Sequence, residues 1–460
     1  MKTIFLTIYD GGIAKNILRT DVFKALKREK GLRIILLISV PEKVDYYRKE
    51  FGGPNVIVEG ISNPKLNKLH YALLHLFFSA FPTETIKIEQ VRKLFKDKNI
   101  LRFLIFRLAG LFMSNRPART LLRAFDSFIF SGKEYQYLFD KYKPDLLFAT
   151  NIIAREDIGL IRQARKNNVF TVAMVKSWDN PTTKGMIRGN KADRLIVHNE
   201  TLKKEMIELH DFPPEKIYVA GIPHFDIYTD NSKLSRRKEF FNKIGADLNK
   251  KLIFFCAAGD DIAPNDPEVL EILDKLIEEG TISFPVQILV RPHPKYPGVD
   301  ETARRCKNTI LDRPGIRVTQ SFSSWEFEEK DIIHLFNSLY HCDLMINTAS
   351  TTTIEACIFD KPVINIGFDG FKKKNFYQSV ERFYSFTHYQ SIVRTGGIRV
   401  VKNKEELAEA VNSYLSNPQL DREDRKKIKQ EQCFKLDGKS GERVAKFVLN
   451  MLNSKHKNES

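Results

Sequence analysis

The chain has 460 residues, which is too long for one ordinary hydrophobic core and predicts two α/β domains of roughly 200 residues each. Its hydrophobic content of 42% and charged content of 28% exclude an intrinsically disordered protein. The net charge of +17 predicts an anionic partner, such as an acidic lipid surface, a nucleic acid or a phosphorylated substrate.

Cysteine use and hydropathy indicate where the protein works. The five cysteines are odd in number and widely spaced, which argues against a disulfide framework or zinc cluster and favours a reducing cytosol. The first residues contain neither a long apolar region nor a cleavage site, and no uncharged run approaches the roughly 20 residues of a membrane helix. We therefore expect a cytoplasmic protein, either free or peripheral at the inner face of the cell membrane.

The first half alternates apolar strand-like runs with amphipathic helices. The predicted strands are residues 3–8, 34–40, 146–149, 169–175 and 194–197, and the predicted helices are residues 15–28, 157–166 and 200–209. Strands that alternate with helices of 10 to 15 residues imply a parallel sheet covered on both faces. This pattern predicts a Rossmann-like domain over residues 1–228.

An insertion over about residues 64–143 departs from this rhythm, because it is helical, rich in Phe and Leu, and basic. Residues 87–143 contain 13 Lys or Arg against 5 Asp or Glu. These helices either pack on the sheet with solvated charges or form a membrane-facing surface in which apolar side chains insert and cations meet anionic lipid. The candidate lipid-facing cations are Lys93, Lys96, Lys98, Arg102 and Arg107.

The second half repeats the α/β pattern after a polar, basic linker at residues 229–250. Its predicted strands are residues 252–256, 286–290, 317–319, 344–346 and 363–366. They predict a second Rossmann-like domain over residues 251–420, followed by two helices within residues 421–460. The predicted fold class is thus α/β, with two Rossmann-like domains, an interdomain cleft and a helical insertion in the first domain.

A turn rich in hydroxyl groups follows the predicted strand 344–346. Ser350, Thr351 and Thr352 lie where this strand passes into a helix, and such a turn presents backbone N–H groups and hydroxyls to an anion. The alternative is an ordinary helix N-cap. Glu355 lies four residues past Thr351, where its carboxylate would accept the hydroxyls of a ribose. The segment is therefore a candidate nucleotide site.

A second candidate, Arg-Pro-His-Pro at 291–294, follows the predicted strand 286–290. Ligands of open α/β sheets bind at the carboxyl ends of strands, and arginine matches phosphate oxygens in a bidentate geometry. Arg291 and His293 are therefore candidate phosphate ligands, although the motif alone is equally typical of a structural turn. Gly259, Asp260 and His388 are further candidates for substrate contacts.

Two motifs of the first domain also follow predicted strands. Trp178, Asp179 and Asn180 come after strand 169–175, where an aspartate would face the cleft and take a proton from an acceptor hydroxyl. The alternative is a local Asx turn. Asp10, Gly11 and Gly12 follow the first strand, and glycines there permit close approach of the backbone to substrate, although a single such motif is a weak signal.

These residues together resemble the GT-B glycosyltransferase clan that contains CDP-glycerol glycerophosphotransferases and capsule Kdo transferases of surface polysaccharide synthesis. The resemblance spans most of the chain. It consists of Arg-x-His-Pro at 291–294, the hydroxyl-rich turn with Glu355, Lys-Pro-Val-Ile at 361–364, Gly-x-Pro-x-x-Asp at 221–226 and Asp-Gly-Lys at 437–439. One departure matters: the glycerophosphotransferases carry Trp-His-Gly-Thr-Pro where this chain has Trp178, Asp179 and Asn180.

The resemblance implies a glycosyltransferase that moves a sugar from a nucleotide-activated donor to a surface glycan or a lipid-linked acceptor. Asp179 would be the base of an inverting displacement, and His293 would assist the departing phosphate, without a metal or cofactor. Aspartate in place of the family's histidine favours sugar transfer over the alternative, polyol-phosphate transfer of the CDP-glycerol or CDP-ribitol type. Two further alternatives are a UDP-N-acetylglucosamine 2-epimerase-like isomerase and a non-enzymatic nucleic-acid-binding protein, although no nucleic-acid-binding module is recognised.

Overall fold

A computed structural model describes residues 1–62, 68–81, 83–188, 192–296, 298–319 and 325–454. The chain forms two compact units. Unit 1 comprises Met1–Thr229, Arg317–Glu326 and Phe434–Ser460, and unit 2 comprises Asp230–Ile316 and Phe327–Cys433. The predicted start of the insertion, residue 64, lies outside the described residues.

Unit 1 contains a parallel sheet of seven strands in the order β3-β2-β1-β4-β5-β6-β7. The strands are β1 (Lys2–Ile8), β2 (Leu32–Ile38), β3 (Val56–Gly60), β4 (Leu146–Ala149), β5 (Phe170–Met174), β6 (Arg194–Val197) and β7 (Ile217–Val219). β1, β4 and β5 are almost wholly buried, as expected for a parallel sheet covered on both faces. The five predicted strands are confirmed, and β3 and β7 are additional.

The helices of unit 1 cover this sheet and form the insertion. They are α1 (Gly11–Ile17), α2 (Asp21–Arg28), α3 (Val44–Phe51), α4 (Lys68–Ser79), α5 (Glu84–Asp97), α6 (Ile100–Met113), α7 (Arg116–Ile129), α8 (Gln136–Tyr142), α9 (Arg155–Lys166), α10 (Asn180–Thr183) and α11 (Glu200–Glu208). The prediction of one helix over residues 15–28 is wrong. Thr20 is extended and its hydroxyl accepts from the backbone N–H of Val22 at 3.4 Å, which starts a new helix.

Unit 2 contains a second parallel sheet, in the order β10-β9-β8-β13-β14-β15. Its strands are β8 (Lys251–Cys256), β9 (Val286–Arg291), β10 (Thr309–Leu311), β13 (Leu344–Asn347), β14 (Val363–Ile366) and β15 (Arg399–Val401). The predicted strand 317–319 is wrong, because β11 (Ile316–Arg317) pairs only with β12 (Trp325–Glu326), outside the sheet. The predicted class of two parallel α/β domains is confirmed.

The helices of unit 2 are α12 (Arg237–Ile244), α13 (Asp266–Glu278), α14 (Asp300–Arg305), α15 (Glu329–His341), α16 (Thr352–Ile358), α17 (Thr387–Val393), α18 (Lys404–Ser416) and α19 (Arg422–Gln432). The last helix, α20 (Ser440–Ser454), belongs to unit 1. Its buried residues Val444, Val448 and Leu452 join the core that contains β1 and α2. The two terminal helices, which the sequence analysis groups in residues 421–460, thus pack in different units.

Across the described ranges, no helix is both long enough and apolar enough to cross a membrane.

Candidate active site

The predicted nucleotide-binding motifs lie at the carboxyl edge of the sheet in unit 2. The strand register pairs Cys256 with Arg291 and with Asn347, and pairs Asn347 with Asn365, so the last residues of β9, β8 and β13 lie in one row with Asn365 of β14. The segments that follow these strands therefore share one edge, where open α/β sheets bind ligands.

The hydroxyl-rich turn lies at the centre of this edge. Ser350, Thr351 and Thr352 are partly exposed, and Ala349 has a φ of 42°, which turns the chain from β13 towards α16. The Thr352 hydroxyl donates to Ser350 Oγ at 3.0 Å, and Asn347 Nδ2 donates to Thr352 Oγ1 at 3.1 Å. The turn therefore presents ordered hydroxyl groups at the sheet edge.

A buried polar network fixes this turn from below. Asn365 Nδ2 donates to Asn347 Oδ1 at 2.7 Å, and the Tyr389 hydroxyl donates to Asn365 Oδ1 at 2.7 Å. Thr353 Oγ1 also donates to Asn347 Oδ1, at 3.1 Å. Networks of satisfied buried groups hold one geometry, so the position of the turn is set by the interior of unit 2.

Asp266, on the first turn of α13, joins two of the edge segments. Its carboxylate accepts from the backbone N–H of Ala258 at 2.7 Å and from Thr348 Oγ1 at 3.3 Å. The side chain is 2% exposed, and burial raises the pKa of this carboxyl to about 7. Asp266 is not among the predicted site residues, because it lies 82 residues before its partner Thr348 and no local motif links the two.

Arg291 is held by a buried acidic partner. It is 7% exposed, and its Nη1 donates to the carboxylate of Asp312. Burial alone raises the pKa of Asp312, but the His334 ring, 3.2 Å away, and the charge of Arg291 lower it to about 2. The positive charge of Arg291 is therefore already compensated within unit 2, and its predicted contact with phosphate remains a prediction.

His293 follows Arg291 on the same loop, and its ring is held in one orientation. Its Nδ1 accepts from the backbone N–H of Lys295 at 3.2 Å, so the ring proton resides on Nε2. Burial, followed by the nearby charge of Lys295, lowers the pKa of His293 to about 4. At neutral pH His293 is therefore an uncharged hydrogen-bond donor.

The loop after β8 packs directly on the His293 loop. Gly259 has a φ of 87°, and a Cβ there would lie 2.5 Å from Tyr296 Cδ2 and 3.1 Å from His293 Cβ, so only glycine fits. Asp260 is exposed, and its carboxylate faces Gly298. The predicted residues Gly259, Asp260 and His293 are therefore brought together.

Two other predicted residues of unit 2 lie on helices, Glu355 buried on α16 and His388 partly exposed on α17. Glu355 is 4% exposed, and its charge contributes to the raised pKa of Cys256, whose main cause is burial. His388 lies on α17 beside Tyr389, with ring centroids 6.2 Å apart. The ribose contact of Glu355 and the substrate contact of His388 remain predictions.

In unit 1, the motif Asp10-Gly11-Gly12 begins α1 at the carboxyl end of β1. Asp10 Oδ1 accepts from the backbone N–H of Ile13 at 3.0 Å, and its Oδ2 pairs with Lys176 Nζ at 2.5 Å. Gly11 approaches protein backbone, because a Cβ there would lie 2.5 Å from the carbonyl oxygen of Trp325. The motif thus has structural contacts, to which Lys176 is an unpredicted contributor, and its substrate contacts remain predictions.

Asp179 lies after β5 and is partly exposed, as is Trp178. Its Oδ2 accepts from Thr183 Oγ1 at 3.0 Å, and its Oδ1 accepts from the side-chain amide of the buried Asn180 at 3.3 Å. Burial, and then the negative charge of Asp179, raise the pKa of Glu205 to about 8. The carboxylate of Asp179 therefore has both local side-chain partners and an acidic neighbour that is largely protonated at neutral pH.

Two histidines that follow strands of the sheet in unit 1 are not among the predicted site residues. His198 follows β6 and is 3% exposed, burial lowers its pKa to about 4, and no described residue hydrogen-bonds to its Nε2. Burial, followed by the charges of Lys15 and His198, lowers the pKa of His224, and its Nδ1 is 3.0 Å from Asn16 Oδ1. The available signals were the position of His198 after a strand and the place of His224 within the motif at 221–226.

The fold and these edges can be compared with known proteins. The chain is 14% identical to the UDP-GlcNAc 2-epimerase of Methanocaldococcus jannaschii, with a TM-score of 0.54, covering 98% of this chain and 100% of that one. A glycosyltransferase from Rickettsia africae is also 14% identical, with a TM-score of 0.52 and coverages of 97% and 98%. The wall teichoic acid polymerase TagF is 12% identical, with a TM-score of 0.52 and coverages of 99% and 90%. A search of curated protein sequences finds no match.

The two parallel α/β units and these likenesses define a protein of the GT-B fold. The profile of the family described as CDP-Glycerol:Poly(glycerophosphate) glycerophosphotransferase matches residues 171–450, which include Asp179, His293 and the hydroxyl-rich turn. The chain belongs to this family and is a transferase, as the sequence resemblance predicted.

Proposed function

We propose that the protein transfers a group from a nucleotide-activated donor to a surface glycan or a lipid-linked acceptor. The main support for this proposal is the strand register of unit 2, which places the loop of uncharged His293 and the hydroxyl-rich turn at the same edge of the sheet. Fixed neutral donors of this kind stabilise negative charge that develops on a departing phosphate.

For sugar transfer, Asp179 accepts the proton of the acceptor hydroxyl, and the resulting oxygen nucleophile attacks the anomeric carbon. The bond between this carbon and the donor phosphate oxygen breaks with inversion, and the electron pair leaves with the nucleoside diphosphate. His293 Nε2 and the Ser350 hydroxyl donate hydrogen bonds to the leaving phosphate, and Thr352 orders Ser350 through the hydrogen bond that it donates to Ser350 Oγ. The presence of aspartate at position 179, where the family's motif has histidine, favours this reaction.

The second candidate is polyol-phosphate transfer, which the match to the glycerophosphotransferase family favours. In this reaction the acceptor oxygen attacks the donor phosphorus that carries the polyol, and a nucleoside monophosphate leaves. With UDP or GDP sugars as donors, the two candidates therefore differ in their nucleotide product. A CMP sugar would release a nucleoside monophosphate in sugar transfer as well, and there the group found on the acceptor distinguishes the two candidates. An isomerase related to the UDP-GlcNAc 2-epimerases would need no acceptor at all.

A donor screen distinguishes these reactions. The protein is mixed with CDP-glycerol, CDP-ribitol, or UDP, GDP and CMP sugars, and thermal shift and nucleotide release are measured with and without glycan acceptor. The correct donor at 100 times its dissociation constant should stabilise the fold by about 2.7 kcal/mol. Nucleotide release that needs no acceptor would contradict transfer.

The same screen with His293→Ala tests the phosphate site. We expect donor affinity to fall about tenfold or more, because a hydrogen bond to a charged phosphate contributes about 1.5 to 3 kcal/mol. Because the pKa of His293 is about 4, its ring should stay uncharged between pH 5 and 8. The donor affinity of wild type should therefore show no transition from His293 in this range and should change with its ionisation only below pH 5. Unchanged affinity in the variant would remove this role from His293.

We propose the anionic membrane surface as a further partner, because α6 of the insertion exposes an apolar face. Its exposed apolar residues are Ile100, Leu101, Leu104, Ile105, Leu108, Leu111 and Phe112. At 100° per residue they cover about 140° of the helix surface. Arg107 borders this face, and Lys96 and Lys98 precede it, all three exposed. An apolar face with a basic border is typical of a helix that lies in the membrane interface.

Co-sedimentation with lipid vesicles tests this partner. We expect binding to anionic vesicles that is weakened by salt and by the triple variant Lys96→Glu, Lys98→Glu, Arg107→Glu, since each basic residue near such a surface contributes about 1 kcal/mol. Equal binding to neutral and anionic vesicles would show that these charges are only solvated. A protein that dimerises through α6 instead would show a concentration-dependent mass without lipid.

A further inference from the structure

A surface cavity lies between α4, α5 and α6 of the insertion, and it has two cations in its wall. Lys93 of α5 and Arg102 of α6 line it, together with His75 of α4 and Asp97. Aromatic side chains, including Phe78 and Phe106, form the remaining apolar wall. None of these groups contributes to the candidate active site described above.

Lys93 has an unusual environment for a lysine. Its ammonium lies 4.3 Å from the centre of the Phe78 ring, and burial lowers its pKa. The neighbouring carboxylates are engaged elsewhere, since Glu89 pairs with Arg92 at 2.7 Å and Asp97 with Arg102 at 3.4 Å. In the part of the chain that the structure describes, no carboxylate forms an ion pair with Lys93. A half-buried cation of this kind attracts an anion from outside the protein.

Arg102 is the second cation in the cavity wall, and it contacts the His75 ring. Arg102 Nη2 donates to His75 Nε2 at 3.1 Å, so this ring nitrogen carries no proton. Burial, followed by the charges of Arg102 and Lys93, lowers the pKa of His75, which keeps the ring neutral. Two cations against the single carboxylate of Asp97 leave the wall with a net charge of +1. This charge complements a monoanion.

The cavity adjoins the exposed apolar face of α6. Arg102 precedes Ile105 by three residues, which places the two side chains about 60° apart around the helix. Ile105 is 52% exposed and lies at the border of the apolar face. A ligand whose charged end occupies the cavity would therefore have its apolar part beside this face.

We propose that this cavity binds the phosphodiester headgroup of an anionic phospholipid. The proposal rests on the membrane partner proposed above and specifies which lipid headgroup the protein selects. Lys93 and Arg102 contact the phosphate, and the acyl chains remain in the membrane beside α6. A phosphodiester carries one negative charge, which matches the net charge of the cavity wall. A choline headgroup adds a cation that Lys93 and Arg102 repel.

The test compares two single-charge variants of the same helix, Lys93→Gln in the cavity and Lys96→Gln on the exposed surface. Full-length proteins are co-sedimented with vesicles of phosphatidylcholine, with or without phosphatidylglycerol, at about 0.5 M salt, where interactions between exposed charges are screened. Thermal unfolding first confirms that each variant folds, and Lys93→Arg serves as the charge-conserving control. In parallel, thermal shift is measured with soluble dihexanoyl phosphatidylglycerol, glycerol 3-phosphate and inorganic phosphate.

We expect Lys93→Gln to bind phosphatidylglycerol vesicles about tenfold more weakly than wild type, whereas Lys96→Gln and Lys93→Arg bind normally. Equal binding by Lys93→Gln and Lys96→Gln would overturn the cavity while leaving the membrane partner intact. Stabilisation by glycerol 3-phosphate or inorganic phosphate as large as that by the short-chain lipid would also overturn the proposal, in favour of a soluble phosphate ligand. If wild type binds no anionic vesicle even at low salt, the membrane partner fails, and stabilisation of wild type but not Lys93→Gln by the soluble lipid alone would support the cavity.

Discussion

Asp179→Asn should lower kcat by about two orders of magnitude or more while donor affinity stays near that of wild type. If Asp179 is the base, the lost interaction exists only in the transition state, because asparagine cannot accept the proton of the acceptor hydroxyl. The fold should be retained, since the asparagine oxygen can still accept from Thr183 Oγ1, the contact that Asp179 makes at 3.0 Å. The measurement is steady-state turnover with saturating donor and acceptor.

Thr183→Val is the matched control for this experiment. It removes this local hydrogen bond but keeps the carboxylate, so a purely local role of Asp179 predicts a loss in Thr183→Val and near wild-type turnover in Asp179→Asn. A base predicts a large loss only in Asp179→Asn. If the asparagine variant keeps more than about a third of wild-type turnover, the base must be another residue, with His198 and Asp10 as the next candidates at the same edge.

Arg291→Ala should destabilise the protein by about 3 to 5 kcal/mol, a larger effect than its loss of a phosphate contact would cause. The reason is Asp312, whose side chain is 8% exposed and whose carboxylate accepts from Arg291. Without the guanidinium of Arg291, the buried carboxylate of Asp312 has no permanently charged partner at this position. His334 also contacts it, but this ring is charged only when protonated. Urea-induced unfolding of unit 2, followed by circular dichroism, measures the effect.

The double variant Arg291→Ala, Asp312→Asn provides the control. Replacing the carboxylate with an amide removes the uncompensated charge, so the double variant should recover much of the stability lost in Arg291→Ala. The low pKa of Asp312, about 2, adds a pH signature. Its stabilising contribution is present above the pKa of the unfolded chain, near 4, and is lost as the pH falls towards 2. Equal stability of wild type and Arg291→Ala would show that the pair is dispensable.

The strands of both sheets were the most predictable part of the fold. Buried parallel strands need continuous apolar runs, and the runs at 146–149, 194–197 and 363–366 coincide with β4, β6 and β14. Short strands at the edges, such as β15, bury fewer apolar residues and carry a weaker pattern. The break at Thr20 was missed because helical periodicity continues across it, while the N-cap contact is a single hydrogen bond.

The candidate site was predictable to the level of its segments. Because parallel strands of one sheet end at one edge, the motifs after β9 and β13 had to lie at the same edge, and the structure places β8 between them. Which side chains face a ligand was not predictable, since this depends on partners that are distant in sequence. Arg291 pairs with Asp312, which lies 21 residues further along the chain, and Asp10 pairs with Lys176, which lies 166 residues further along. Spacing within a motif contains no record of such pairs.

The position of α20 in unit 1 affects the order in which the protein can fold during synthesis. The ribosome makes residues 1–229 before unit 2, but Val444 and Val448, which fill the core beside β1 and α2, are made after unit 2. Domains generally fold as units while the chain emerges at about 5 to 20 residues per second, so unit 1 must wait on the order of ten seconds or more for its final helix. Unit 2, complete at Cys433, can reach its native state earlier. The nascent chain therefore exposes apolar core surface on its first half during this interval, when chaperones would act on it.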